Sequence, residues 1–271
     1  MKSSDIRANA KALLALHHGE GFILPNAWDA GSARVFEQLG FPAIATTSAG
    51  IAWSRGLADG GPLSPGENLI AISRVVWAVD VPVTADIEDG YGDTPADVGF
   101  TVEHLLELAV VGANIEDARA GVLYPAEVAA ERIAGARAVA PNGTFVLNAR
   151  TDTYMGPASA DRFEETVARA RLYIDAGADC IFVPGVSDAD TIGRLAAAIP
   201  APLNIVAGLS SAIDAPTLFK LGVKRVSVGG GVARAALSLI ERAGRELQET
   251  GTLGFLDGAA SYAETQARFE D

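Results

Sequence analysis

Short apolar segments that alternate with amphipathic segments are the feature that most constrains the fold of this chain. Roughly eight segments rich in apolar and β-branched residues recur along it, and a stretch with helical periodicity follows each one. Strands that are apolar on both faces are typical of a parallel sheet covered by helices. Eight such units predict a TIM-type (β/α)8 barrel. An open doubly wound sheet is the alternative, but no G-x-G-x-x-G follows the first strand, and there is no Walker-type loop.

The pattern predicts one domain over residues 1–271, with extra helices at its C-terminal end. Strands are expected at 22–24, 43–47, 81–86, 112–117, 144–150, 178–183, 202–206 and 224–229. Helices are expected at 3–18, 29–39, 64–79, 94–111, 125–140, 160–176, 188–198, 216–221, 232–250 and 257–269. The Gly-rich stretch that follows the second strand, up to residue 61, is predicted to be a loop.

Composition excludes several classes of protein. The formal net charge of −13 argues against nucleic acid as a partner, because an acidic surface repels phosphate. No apolar stretch is long enough to span a membrane, and the first ten residues lack an apolar signal core. The lone Cys180 cannot form a disulfide within the chain. We therefore expect a cytoplasmic protein.

Three carboxylates lie close together at the end of the third predicted strand. Asp86 and Glu88 are two positions apart, so they can share one face of a strand, and Asp89 follows before a Gly-Tyr-Gly turn. Like charges this close repel each other unless a cation lies between them. Hard oxygen ligands predict Mg²⁺ or Mn²⁺. The alternative is an acidic turn exposed to water.

The carboxyl ends of barrel strands meet at one site, so the residues there can be considered together. Asp86, Glu88 and Glu116 are the predicted metal ligands, and Arg150 is suited to bind a carboxylate with two hydrogen bonds. A divalent cation among such acids can stabilise an enolate or a 2-oxo acid. The predicted substrate-binding residues are Thr47, Ser48, Ala49, Asp86, Arg150 and Asn204, with the backbone N–H groups of residues 48 and 49 holding a second anionic group.

These residues lie in motifs that resemble the isocitrate lyase and phosphoenolpyruvate mutase superfamily. The similar segments are Thr-Thr-Ser-Ala-Gly at 46–50, Gly-Leu-Ala-Asp at 56–59, Asp-Ile-Glu-Asp-Gly-Tyr-Gly at 86–92, Asn-Ile-Glu-Asp at 114–117 and Asn-Ala-Arg-Thr-Asp at 148–152. The resemblance implies a Mg²⁺-dependent enzyme that makes or breaks a C–C or C–P bond next to a carbonyl group. It implies catalytic roles for Asp59, Glu116 and Arg150. It also implies a homotetramer or homodimer in which C-terminal helices are exchanged between subunits.

The chain departs from this superfamily where the proton donors are expected. Residues 116–125 lack the Lys-Arg-Cys-Gly-His segment of the isocitrate and methylisocitrate lyases, and they lack the Lys of the phosphonate enzymes. Val183-Pro184-Gly185 stands where those phosphonate enzymes have a His. We therefore predict a lyase for a small 2-oxo or 2-hydroxy dicarboxylate, similar to oxaloacetate decarboxylase or methylisocitrate lyase. The alternatives are a C–P bond enzyme, of the phosphoenolpyruvate mutase or phosphonopyruvate hydrolase type, and a non-catalytic 2-oxo acid binding protein.

Overall fold

The computed structural model describes residues 6–157, 159–209 and 212–270. Nine strand segments form one parallel sheet. We number them as eight strands: β1 (Phe22–Leu24 and Asn26–Ala27), β2 (Ile44–Thr46), β3 (Val83–Asp86), β4 (Gly112–Glu116), β5 (Val146–Arg150), β6 (Cys180–Phe182), β7 (Leu203–Val206) and β8 (Arg225–Ser227).

Strand β1 closes the sheet into a barrel. Its two segments flank Pro25, which has no N–H group to give to a ladder. The first segment pairs with β8 and the second pairs with β2, so the sheet has no free edge at this strand. The predicted (β/α)8 barrel is confirmed.

The helices follow the predicted order. They are α1 (Ile6–His17), α2 (Ala30–Gln38), α3 (Ser48–Ser54), α4 (Pro65–Ala78), α5 (Pro95–Glu107), α6 (Ala126–Val139), α7 (Arg162–Asp175), α8 (Ala189–Ala198), α9 (Ala215–Lys220), α10 (Gly231–Glu249) and α11 (Tyr262–Ala267), with a 3₁₀ turn at Gly254–Leu256. The predicted start of the first helix, at residues 3–5, lies outside the described residues. Helices α4 and α5 each begin at a proline that a capping box precedes, as their sequences predict.

Two elements were not predicted. The supposed loop after β2 begins with the helix α3, whose first turn is capped by the Thr47 hydroxyl, which accepts from the Gly50 N–H. Gly50 serves close packing rather than flexibility here, because an added Cβ would lie 2.9 Å from Cβ of Trp28. The second is a short antiparallel hairpin after β4, formed by Ala118–Arg119 and Val122–Leu123.

The apolar core surrounds the barrel and closes one end of it. The largest cluster of buried side chains packs the strands against helices α4 to α9. A second cluster joins Ala10 and Leu13 of α1 to Phe22 and Val146, which begin β1 and β5. Helix α1 therefore covers the amino-terminal end of the barrel, and the carboxyl ends of the strands remain open for a site.

The C-terminal helices extend beyond the barrel. From Leu237 onward α10 has no buried residue, and the α11 region contacts its own chain through Gln38 Nε2, which donates to the Arg268 carbonyl at 2.8 Å. Exchange of these helices between subunits stays a prediction. Among the described residues, no helix is both long and apolar enough to cross a bilayer.

Candidate active site

A cleft with two lobes opens at the carboxyl ends of the strands, and Ser48, Asp59 and Arg150 line both lobes. The acidic lobe has a volume of about 480 Å³ and is also lined by Gly60, Glu88, Asp89, Glu116, Ala118, Arg119, Ala120, Gly121 and Asp152. The apolar lobe has a volume of about 300 Å³. Its wall includes Trp53, Met155, Phe182, Pro184, Val206 and Leu209, and its polar residues include Thr47, Asp86, Asn114, Ser227 and Arg234.

Asp86 ends β3, lines the apolar lobe and is 9% exposed. Its Oδ2 accepts two hydrogen bonds from Ser48, one from the backbone N–H at 3.0 Å and one from Oγ at 2.9 Å. Its Oδ1 is buried and has no hydrogen-bond partner. A buried carboxylate oxygen without a partner is costly, and a divalent cation would satisfy it. The site therefore fits Mg²⁺ or Mn²⁺ through Asp86.

Three further carboxylates around Asp86 have perturbed acidities. Partial burial, followed by repulsion from Asp86, raises the pKa of Glu88 to about 7. The same two causes, in the same order, raise the pKa of Asp59. Burial raises the pKa of Glu116 well above its usual value, even though Arg150 opposes the shift. A cation would relieve this concentration of negative charge.

The expectation that Asp86 and Glu88 share one face of a strand is wrong. Strand β3 ends at Asp86, and Glu88 has a φ of 52°, so the two side chains do not alternate along one extended strand. Glu88 and Glu116 line the acidic lobe, whereas Asp86 lines the apolar lobe. Within the described ranges, no three His, Cys, Asp or Glu side chains are close enough to share an ion. Asp86, Glu88 and Glu116 therefore do not form one ligand cluster in this structure.

Arg150 ends β5 at the centre of the cleft, where it is bound by acids of its own chain. Its Nη1 donates to Glu116 at 2.5 Å, while Nε and Nη2 donate to the two oxygens of Asp152 at 2.6 and 2.9 Å. Three of its five N–H groups are therefore engaged, and two remain for a ligand. Asp152 was not among the predicted site residues, although it lies in the same Ala-Arg-Thr-Asp motif.

The predicted anion-binding residues lie at different depths in the barrel. Thr47 and Ala49 line the apolar lobe, but the Ser48 N–H that was expected to hold an anion is already donated to Asp86. Asn204 is fully buried inside the barrel, where its Nδ2 donates to Ser227 Oγ at 3.1 Å. Asn204 does not line either lobe, because it is the second residue of β7 and lies below the strand end.

The hairpin after β4, which was not predicted as an element, forms a wall of the acidic lobe. Arg119 Nε donates to Asp89 and Nη1 donates to Asp93, both at 2.6 Å, and Nη2 donates to the Gly92 carbonyl. The Tyr124 hydroxyl also donates to Asp89 at 2.6 Å. These bonds fix the hairpin to the turn after β3. Both lobes lack Lys, His and Cys among their described lining residues.

This closed barrel places acids and an arginine at the carboxyl ends of its strands, where barrel enzymes have their active sites. The family model described as phosphoenolpyruvate phosphomutase matches residues 13–248. A 2-methylisocitrate lyase of Halalkalibacterium halodurans is 30% identical over 84% of this chain and 78% of its own length. The chain belongs to the isocitrate lyase and phosphoenolpyruvate mutase superfamily, whose members are lyases and mutases that act on small carboxylates.

Solved structures agree with this assignment. A crystal structure of a protein from Burkholderia cenocepacia J2315 is 40% identical, covers 99% of this chain and 98% of its own, and has a TM-score of 0.91. Oxaloacetate acetylhydrolase in complex with its product oxalate is 26% identical, covers 97% of this chain and 94% of its own, and has a TM-score of 0.86.

Proposed function

We propose that this protein is a Mg²⁺-dependent lyase that cleaves a C–C bond in a small 2-oxo or 2-hydroxy dicarboxylate. The observation that carries the proposal is the unpartnered, buried Oδ1 of Asp86 beside Arg150. Oδ1 of Asp86 would hold a cation, and Arg150 would bind a substrate carboxylate. When bound, the cation would act as a Lewis acid on the carbonyl and carboxylate oxygens of the substrate.

The chain's own residues have separate roles in this proposal. Ser48 fixes the Asp86 carboxylate through two hydrogen bonds, so its other oxygen is held in one place. Glu116 and Asp152 hold the Arg150 guanidinium from two sides, which orients its remaining donors. Glu88 and Asp59 add negative charge that favours a cation over a second anion at this position.

The lining of the cleft favours decarboxylation of oxaloacetate among the candidate reactions. Isocitrate-type cleavage needs an acid to protonate the carbanion that leaves, and residues 116–125 lack the Cys-bearing segment of the isocitrate lyases. Glu88, with a pKa raised to about 7, is a carboxyl group in the lining that can still donate a proton. Cys180 cannot serve, because it is fully buried and burial raises the pKa of its thiol to about 12. In decarboxylation the C3–C4 bond breaks, CO₂ leaves, and the electron pair forms the enolate of pyruvate. Water can then protonate that enolate.

The test is a pyruvate assay on purified protein with oxaloacetate and, separately, 2-methylisocitrate, each with Mg²⁺ and with EDTA. Because Mg²⁺ alone accelerates loss of CO₂ from oxaloacetate, a blank with Mg²⁺ and no protein is subtracted. We expect turnover that EDTA abolishes, that Asp86→Ala removes, and that Glu103→Ala retains. Glu103 is the control, since this carboxylate is exposed on α5 and lines neither lobe. Activity that survives in Asp86→Ala would refute the proposed role of this residue.

Two other functions share this site. A C–P bond enzyme would use the same cation and arginine, and a ³¹P NMR time course with phosphonopyruvate or phosphoenolpyruvate would detect it. A non-catalytic binding protein would bind a 2-oxo acid tightly and release no product. The absence of a described Lys or His in the lining counts against the phosphonate reactions.

We also propose that the chain forms a homotetramer or homodimer through α10. This helix has an apolar stripe along one face, at Val232, Leu239, Ile240 and Leu247, and all four side chains are exposed. A second copy would bury this stripe. Light scattering after size-exclusion chromatography should give a mass above that of one chain, and Leu239→Glu with Ile240→Glu should reduce it. A single-chain mass for the unaltered protein would exclude this arrangement.

A further inference from the structure

A buried arginine lies inside the barrel, below the cleft. Arg225 of β8 is completely buried, and only its Nη2 has a hydrogen-bond partner, Asn114 Oδ1 at 3.0 Å. In the part of the chain that the structure describes, no carboxylate forms an ion pair with it. Burial lowers its pKa to about 10, so the guanidinium stays protonated near neutral pH. A protonated guanidinium can donate hydrogen bonds but cannot accept them.

This property fixes the orientation of a chain of asparagines. The oxygen and nitrogen of an amide side chain have nearly the same shape, so the hydrogen-bond partners decide which way the group faces. Because Arg225 only donates, the atom of Asn114 that faces it must be Oδ1. The same Oδ1 accepts from Asn148 Nδ2 at 2.7 Å, and that Nδ2 also donates to Asn204 Oδ1 at 3.0 Å. Asn204 Nδ2 then donates back to the Arg225 carbonyl at 3.2 Å.

Asn114 is the member of this chain that reaches the cleft. It is the neighbour of Asp86 across the β3–β4 pair, and it lines the apolar lobe while Asn148 and Asn204 do not. With Oδ1 held by two donors, its Nδ2 is the polar atom left for the lobe. This Nδ2 makes no hydrogen bond to the described residues and is not enclosed by them. A pair of N–H donors therefore lines the same lobe as Asp86, on the neighbouring strand.

We propose that Asn114 is a substrate-binding residue, which donates from Nδ2 to an anionic oxygen of the ligand, and that Arg225 is its positioning residue. Asp86 attracts a cation and repels an anionic oxygen, whereas Asn114 attracts that oxygen, so the pair suits a ligand that chelates a cation through an oxygen. The identity of the ligand as a 2-oxo acid rests on the proposed function. The orientation of Asn114 rests on the hydrogen bonds alone.

The test uses oxalate as the probe, because its planar dianion resembles the enolate of pyruvate. Calorimetry measures its dissociation constant in the presence of Mg²⁺ for the unaltered protein and for Asn114→Ala, Asn114→Asp and Asn142→Asp. We expect binding to weaken about 10-fold or more in Asn114→Ala, since one hydrogen bond to a charged group is lost, and about 100-fold in Asn114→Asp, which replaces the donor by an anion. Asn142→Asp adds the same charge in an exposed loop and should bind as the unaltered protein does.

Folding is a separate measurement for these variants. Asn114→Asp keeps an oxygen for Arg225, so its melting temperature should not fall. Arg225→Lys keeps a head group that only donates, and we expect it to bind oxalate within about 3-fold of the unaltered protein. Arg225→Gln has an amide that can donate or accept, so we expect binding about 10-fold weaker. A merely structural role would make affinity follow melting temperature in both Arg225 variants. If neither Arg225 variant folds, the oxalate affinities of the two Asn114 variants decide whether Asn114 binds the ligand.

The outcomes separate this proposal from the proposed function. Oxalate binding that does not depend on Asn114 overturns the proposal, even if the protein turns over a dicarboxylate. Binding that depends on Asn114 supports it, even if no acid is turned over and the lyase assignment fails. No oxalate binding at all with Mg²⁺ present also overturns it.

Discussion

Replacing Asp86 by Asn tests the central residue of the site with almost no change of shape. The variant keeps an acceptor for the two Ser48 hydrogen bonds but removes their charge. A bond to a charged group contributes about 1 kcal/mol more than a neutral one, so the loss is about 2 kcal/mol for the pair. Removing the Asp86 charge also ends its repulsion of Glu88 and Asp59, which stabilises the protein. The melting temperature without metal should therefore fall by no more than about 8 °C.

The larger effect is on the response to Mg²⁺. At a hundred times its dissociation constant, a cation that binds only the folded state adds about 2.7 kcal/mol, which raises the melting temperature by roughly 5 to 10 °C. We expect this increase in the unaltered protein and none in Asp86→Asn, measured by differential scanning fluorimetry with Mg²⁺ and with EDTA. Glu103→Gln, which removes an exposed charge on α5, should keep the full increase. An equal increase in Asp86→Asn would refute the argument that the unpartnered Oδ1 holds the cation.

Further predictions concern pH and stability. Because the pKa of Glu88 is raised to about 7, its protonated form stabilises the metal-free protein fully below about pH 4.5, and this contribution is lost as pH rises through about 7. The Mg²⁺-induced increase in melting temperature should therefore be larger at pH 8 than at pH 6. The Glu88→Gln variant should lose that difference between the two pH values. Asp117→Asn should lower the free energy of unfolding in urea by about 3 kcal/mol, because this carboxylate is 2% exposed and accepts bonds from Tyr173 Oη and the Asp152 N–H; an unchanged midpoint would contradict this. Gly135→Ala should lower the free energy of unfolding by about 2 kcal/mol, because an added Cβ would lie 2.1 Å from the Pro95 carbonyl oxygen. Gly244 lies in open space, so Gly244→Ala should raise the free energy of unfolding slightly.

Local sequence patterns were sufficient for most of the fold. Capping boxes and N-terminal prolines mark the starts of α4 and α5, and they depend only on residues within one turn of each other. The missed helix α3 shows where this reasoning fails. The Gly-rich composition of this stretch predicted a loop, but Gly50 is buried against Trp28, a contact that no local pattern reveals.

The candidate site was predicted as a set of residues but not as a geometry. The acids and Arg150 do gather at one cleft, because parallel strands bring their carboxyl ends to one end of a barrel. The partners of each group were not predictable. The Ser48 N–H is donated to Asp86, which is 38 residues away, and Arg150 is held by Glu116, which is 34 residues away.

The sequence by itself determined the closed barrel, the order of its elements and the identity of the acids at its mouth, because these follow from periodicity, caps and strand ends. Only the tertiary structure decided that Asn204 is buried while Asn114 lines the cleft. It also decided which way the Asn114 amide faces, through a hydrogen bond from Arg225, 111 residues further along the chain. The physical reason is that the direction of a polar side chain is set by its hydrogen-bond partners, and in a barrel these partners come from strands far apart in sequence.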